Sequence, residues 1–214
     1  SVILERGRDV DRRTLDVGAF WDTGILDEES NVQFGEGGAG TFSDGKLTTG
    51  THDPRISAVL DVLVEAGAPA DVKYSHKPHI GTDILRQVVK KIRLELAALG
   101  CDVRFGHRLT GLRLSGDSLA GIRAEGPAGP YEMDCSALVL APGHSARDIY
   151  EMLDRCGVEL EAKAFAMGVR VEHPQRLIDA AQYHMPERGE YLPAASYSLV
   201  EQVGGRGVYS FCMC

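Results

Sequence analysis

The sequence predicts an α/β chain, and three observations carry that prediction. Capped helix patterns flank a cluster of short β segments in residues 101–135. The pentapeptide ALVLA (137–141) is apolar throughout, as a strand buried on both faces is. A Pro-Gly step and a third capped helix follow it directly. The loop at 142–145 is thereby placed at the carboxyl end of a central strand, where open sheets bind ligands.

The elements follow in order. SVILE at the start is a β-type run. Asp53 and Pro54 supply an N-cap and a first-turn proline for a helix striped by Ile56, Val59, Leu60, Leu63 and Val64, which Gly67 closes. A second helix opens at Thr82 with Asp83 in its first turn. It carries Leu85, Val88, Val89, Ile92, Leu96 and Leu99 at helical spacing and ends at Gly100. The third opens at Ser145, with Asp148 three residues on, a stripe of Ile149, Met152, Leu153 and Cys156, and Gly157 as its stop. Between the second and third lie CDVRF (101–105), LTGLRL (109–114), LAGIRA (119–124) and YEMDC (131–135), separated by Ser-Gly-Asp and Gly-Pro corners that predict a meander. From about Glu159 the helix signals fade. AFAMGVRVEH (164–173) and GVYSFCMC (207–214) read as strands of a second, sheet-rich region.

Bulk properties narrow the function. At 214 residues, 43% apolar and 25% charged, the chain has the composition of a soluble globular protein with room for one core and part of another. Its net charge of −8 and lack of a Lys/Arg tract argue against nucleic acid as a partner. No apolar run is long enough to cross a bilayer, and no signal peptide opens the chain, so no membrane is expected. Five cysteines form no regular framework, which points to a reducing, cytoplasmic setting. No His/Cys pair has metal-ligand spacing, so no metal is predicted. Both ends fall inside β-type sequence, so the chain is expected to be a fragment. A sheet edge left open in such a fragment invites self-association.

GEGGAGTFSDGK (35–46) fits two nucleotide patterns on paper. As G-x-G-x-x-G it lacks the preceding buried strand and the amphipathic helix that a dinucleotide fingerprint needs, since DEESNVQF stands upstream and more glycines follow. As a P-loop it lacks the hydroxyl after Lys46, because Leu47 stands there, and Asp44 would put an anion among phosphates. What survives is a backbone dense in amides and free of Cβ atoms, suited to close approach to a nucleotide cofactor as a secondary contact, or else to a plain surface loop.

VILERG, NVQFGEGGAGTFSDGKL, KPHIGTD, ALVLAPGHSARDIYEML, GVRVEHPQ and VYSFCMC together resemble the FAD-dependent dehydrogenases, also described as NAD(FAD)-utilising dehydrogenases, within the glutathione-reductase-like flavoproteins. The resemblance covers essentially the whole chain and implies truncation at both ends. It implies an incomplete Rossmann-like FAD/NAD(P)-binding domain with a β-meander, in segments 1–50 and 81–157. Residues 51–80 would be a helical insertion or a substrate-domain segment, and 158–214 part of a sheet-rich substrate domain.

The same resemblance assigns roles. Glu5, with Arg6 beside it, would accept the adenosine ribose hydroxyls. Gly35, Gly37, Gly38, Ala39, Gly40, Thr41, Phe42, Ser43, Asp44, Gly45, Lys46 and Leu47 would wrap the pyrophosphate, ribityl chain and ring edge. Arg108 and Leu109 match an adenine contact. Ala141, Pro142 and Gly143 match the turn that closes over the cofactor, with His144, Ser145 and Arg147 opening the helix beside it. The implied protein is an oxidoreductase passing hydride between flavin and a small organic substrate or NAD(P)H. The alternative is a flavin- or nucleotide-binding protein without turnover. The fragment alone is expected to be inactive and to hold FAD weakly or not at all.

Catalytic residues stay open at this level. Lys46 suits either the flavin N1 region or a phosphate or surface contact. His79, His144 and His173 suit either cofactor or substrate contacts or satisfied loop positions. Cys212 and Cys214 share a face if the segment is a strand, which fits a redox pair or plain packing. Cys101, Cys135 and Cys156 read as packing residues.

Overall fold

The computed structural model describes residues 1–43, 45–47, 49, 51–75 and 78–210. It is a mixed helix-and-sheet structure with small sheets, in two compact units, Ser1–Glu161 and Ala162–Cys214.

The first unit starts with β1 (Val2–Glu5), which runs into α1 (Val10–Thr23). Two further helices follow, α2 (Arg55–Glu65) and α3 (Thr82–Ala98). Then come β2 (Asp102–Phe105), β3 (Arg108–Ser115), β4 (Ser118–Gly126), β5 (Gly129–Asp134) and α4 (Arg147–Arg155). β1 and β2 pair in parallel, Val2 with Asp102 through Glu5 with Phe105. β3, β4 and β5 form the antiparallel meander that the turn signals predict, with irregularities at Leu109/Gly111 and Arg113/Leu114.

Two apolar clusters hold this unit. In one, the stripes of α2 and α3 meet over Ala66, Ala68, Val72, Ile80 and Val88, joined by Leu60, Leu63, Leu85 and Ile92. In the other, Ile149, Met152 and Leu153 of α4 lie against Phe34 and against Leu109 and Leu112 of β3. The 3.6-residue periodicity selects most of the helical members, but Val59 and Leu99 of the predicted stripes are exposed, and residues between the helices such as Val72, Ile80 and Phe34 complete the clusters. Cys156 joins the α4 cluster, while Cys101 and Cys135 are half-buried free thiols.

Several expectations are corrected. ALVLA forms no strand, and Val139 is 89% exposed. A strand buried on both faces needs hydrogen-bonded neighbours and a layer on each side, and among the described residues none pairs with it. AFAMGVRVEH likewise forms no strand, with Phe165, Met167 and Val169 exposed. α4 begins at Arg147 rather than Ser145 and has no side-chain cap, because Ala146 at the N-cap carries no acceptor, and Asp148 bonds to Arg6.

Two helices lie outside the predicted set, although Asp9 and Gly24 cap α1 at its two ends. The stripe of α1 consists of Val10 and Val17 with a fully buried arginine, Arg13, between them. In the second unit, α5 (Gln175–Tyr183) follows Pro174 and is fixed by a buried acid, Asp179. That unit also carries a hairpin of β6 (Val200–Val203) and β7 (Arg206–Tyr209). Gly204 and Gly205, at φ of 56° and 78°, make its two-residue turn, a conformation that demands positive φ at both positions.

Candidate functional site

β1 ends at Glu5, and its carboxylate is put to use at once. Oε1 accepts the amide of Gly7 at 2.8 Å and the amide of Gly35 at 3.1 Å, which ties the strand end to the glycine loop. Gly7 makes the approach possible. A Cβ there would stand 2.5 Å from the Gly35 Cα and 2.6 Å from its nitrogen. Among the described residues no donor reaches Oε2, so this half-buried acid retains acceptor capacity.

The loop itself is built from backbone that only glycine adopts readily. Gly35, Gly37, Gly38 and Gly45 have φ of 115°, 84°, 63° and 65°. Ala39 to Phe42 form one 3₁₀ turn, not the amphipathic helix of a dinucleotide fingerprint. Thr41 is fully buried, with its hydroxyl toward the Glu36 carbonyl. A Cβ on Gly37 would strike Thr41 Oγ1, whereas Gly38 and Gly40 have nothing within 4 Å of that position. Ser43 is exposed, and Asp44 lies outside the described residues.

Beside the loop, Arg6 reaches Glu29 at 2.6 and 3.0 Å and Asp148 at 3.1 Å, with its guanidinium over the Phe34 ring. The hydrogen bonds to Glu29 are the main cause holding the Arg6 pKa above its ordinary value, with Asp148 adding to them. Arg108, at the start of β3, shares Glu29 at 3.3 Å and pairs with Glu125 at 3.0 Å. Glu29 therefore joins the end of β1, the meander and, through Arg6, the first turn of α4. A cavity of about 460 Å³ opens here, lined by Arg6, Arg8, Asp27, Glu29, Arg108 and Glu125 among others.

Of the predicted site residues, Glu5, Arg6, Gly35 and Arg108 thus meet in one region, and Leu109 sits just behind it in the α4 cluster. Ala141, Gly143, His144 and Arg147 are exposed, and Pro142 and Ser145 half-buried, on the stretch leading into α4. Asp148, one residue beyond Arg147, links this stretch to Arg6, and Ala146 belongs to the cluster that packs against Phe34 and Leu109. Lys46 and His79 come together elsewhere, as partners in an antiparallel bridge. The Leu47 amide donates to Pro78 at 2.9 Å, and the Ile80 amide to Gly45 at 3.0 Å. A second cavity, of about 270 Å³, is lined by Asp71, Ser75, His79 and Gly81 among others. His173 lies edge-on to Tyr197 in the other unit. Cys212 and Cys214 fall outside the described residues.

Sequence reasoning overlooked Gly7, Arg13, Glu29 and Glu36. Only Gly7 carried a signal, since it immediately follows the strand-end acid. The others are polar side chains, Arg13 and Glu36 buried and Glu29 half-exposed, whose partners are distant in sequence.

Residues 164–214 match the family model described as FAD-dependent protein, C-terminal domain-like. An uncharacterized protein of Clostridium beijerinckii is 54% identical over 215 residues, an alignment taking in 100% of this chain and 40% of that protein. The chain thus spans about two fifths of the length of that curated relative. Solved structures give distant likenesses. The open conformation of a flavocytochrome c3 fumarate reductase is 18% identical, with 65% of this chain and 33% of that one covered at a TM-score of 0.38. BexE, studied for oxidation during BE-7585A biosynthesis, is 20% identical, with 97% and 37% covered at 0.33. The anhydrotetracycline hydroxylase OxyS of Streptomyces rimosus is 20% identical, with 64% and 30% covered at 0.32. Among the described residues, no helix is long and apolar enough to cross a membrane, and no group of three or more His, Cys, Asp or Glu is placed to hold a metal ion.

Proposed function

We propose that the chain supplies the adenosine end and the glycine-loop wall of an FAD site in an oxidoreductase acting on a small organic substrate. The observation that carries this reading is the Glu5–Gly35 hydrogen bond. It holds a strand-end carboxylate beside a loop of positive-φ glycines, and next in the chain to Arg6 and Gly7, which line a cavity where three arginines stand with Asp27, Glu29 and Glu125. The FAD-dependent match over residues 164–214 supports it.

The residues present suit the cofactor. Glu5 Oε2 would accept ribose hydroxyls, and a diphosphate would meet Arg6, Arg8 and Arg108 in exchange for part of their pairing with Glu29, Asp148, Asp16, Asp27 and Glu125. The open Cβ positions at Gly38 and Gly40 would let backbone amides approach it. Leu109, Pro142 and the segment 143–147 would close the site from the α4 side, as part of a Rossmann-like FAD domain. Bound FAD would supply a hydride acceptor or donor at its flavin ring. Lys46 and His79, joined by their bridge, are the polar pair best placed on the loop's far end to bind substrate or hold a proton there.

The test is the visible spectrum of the full-length protein, followed by anaerobic titration with NAD(P)H and candidate metabolites. Stoichiometric bound FAD that a donor reduces is the expected result. A colourless protein with no affinity for added FAD would remove the reading. Flavin that nothing reduces would favour a binding protein without turnover.

A further inference from the structure

Arg13 is the one fully buried cation among the described residues and lies on α1, outside every motif the sequence offers. Its guanidinium is held by carbonyl oxygens. Nε donates to Asn31 at 2.8 Å, and Nη1 to Glu36 at 2.7 Å and Gly35 at 3.3 Å, with the plane 4.8 Å from the Phe42 ring centroid. These contacts grip the glycine loop before it, at its first turn and at its 3₁₀ end. The fit is reciprocal, for a Cβ on Gly35 would stand 2.4 Å from Arg13 Cδ.

The surrounding charges complete the clamp. Glu36, itself buried, takes the Val10 amide at 2.7 Å and Arg93 of α3 at 2.7 Å, so the loop is also fastened to α3. Burial pushes the Arg13 pKa down to about 10, against the pull of Glu5 and Glu36, which leaves the group charged at neutral pH. Among the described residues, Nη2 is buried with no hydrogen-bond partner. Burying this cation costs hydration that an apolar side chain would not lose, and it returns three bonds to carbonyl oxygens.

We infer that Arg13 is a positioning residue that fixes the conformation of the Gly35–Phe42 loop and thereby the affinity of the site for an anionic dinucleotide. The second part rests on the FAD reading above. The first does not. Arg13 organises the loop through its carbonyl oxygens, which orients the loop's peptide units as one set.

The experiment compares wild type, Arg13→Met and Arg13→Lys in the full-length protein. Hydrogen exchange at the amides of Gly38 and Thr41, bonded within the loop, and of Glu36, bonded to the Arg8 carbonyl, should speed up about tenfold or more in Arg13→Met, with the amides of β4 unchanged. Arg13→Lys, keeping charge and part of the donor set, should fall between. FAD affinity should drop about tenfold or more in Arg13→Met, and the visible circular dichroism of bound flavin should change, with partial rescue by lysine. Unchanged loop protection in both variants overturns the inference, as does altered protection with flavin affinity and dichroism both intact. Should wild type hold no flavin, the FAD reading falls and amide exchange alone decides Arg13's role. Should Arg13→Met fail to fold, the lysine variant carries the same measurements.

Discussion

Lys46 and His79 face one another across an antiparallel bridge, closed on both sides by backbone hydrogen bonds of 2.9 and 3.0 Å. Paired residues in such a ladder project to the same face, with Cβ atoms about 4.5–5.5 Å apart. Two residues that looked independent in the sequence are therefore neighbours. If this pair serves the chemistry, Lys46→Met and His79→Ala in the full-length protein should each slow flavin reduction by substrate about 10²-fold or more while flavin content stays at the wild-type level. Loss of flavin with an unchanged rate per bound flavin would move the pair to a binding role.

Glu5→Gln should weaken FAD binding by about 1–3 kcal/mol, the scale of a charge-assisted hydrogen bond left unmade. The fold should persist, because a glutamine oxygen still accepts the amides of Gly7 and Gly35. Equilibrium titration of the apoprotein measures it, and an unchanged dissociation constant would reduce Glu5 to a structural cap.

Glycine substitutions should separate packing from ligand approach. Gly7→Ala meets the Gly35 backbone at 2.5 Å and Glu29 oxygen at 2.7 Å, so it should cost about 1–3 kcal/mol in thermal unfolding. Gly40→Ala meets nothing within 4 Å and should change stability by no more than about 0.5 kcal/mol, yet lower flavin affinity. Equal effects of the two on stability would show that the loop packs otherwise.

In the second unit, Asp179 accepts the Ala195 amide and the Gln175 amide side chain, both at 2.8 Å, with Arg188 at 3.6 Å. The Ala195 bond above all, then Gln175, holds its carboxyl below the ordinary aspartate range. A depressed folded pKa means stability that is fully present above the unfolded value and lost as pH falls through the folded one. The protection factor of the Ala195 amide should therefore decline in acid below that range. In Asp179→Asn it should be lower at neutral pH and flat across the same window. A parallel decline in the variant would clear Asp179 of the effect.

Much of the first unit was legible in its residues. Pro54, Gly67, Gly100 and Gly157 mark helix ends because proline and positive-φ glycine act locally. The stripes of α2, α3 and α4 and the turns of the meander follow from periodicities that need no partner to be visible. ALVLA shows the limit of that reasoning. Its composition is that of a buried strand, but a strand exists only with another beside it, and here it lies open.

The sequence by itself determined where the chain turns, which faces of three helices are apolar, and that residues 35–46 are backbone-rich and side-chain-poor, since each is a property of neighbouring residues. Tertiary structure alone decided that Glu5 binds the amide of Gly35, that Glu29 joins Arg6 to Arg108, that Lys46 meets His79, and that Arg13 is buried beneath the loop. Each of these is a polar contact between residues far apart in the chain. A charged side chain reads as surface until the fold removes its water and supplies carbonyls or an opposite charge in exchange.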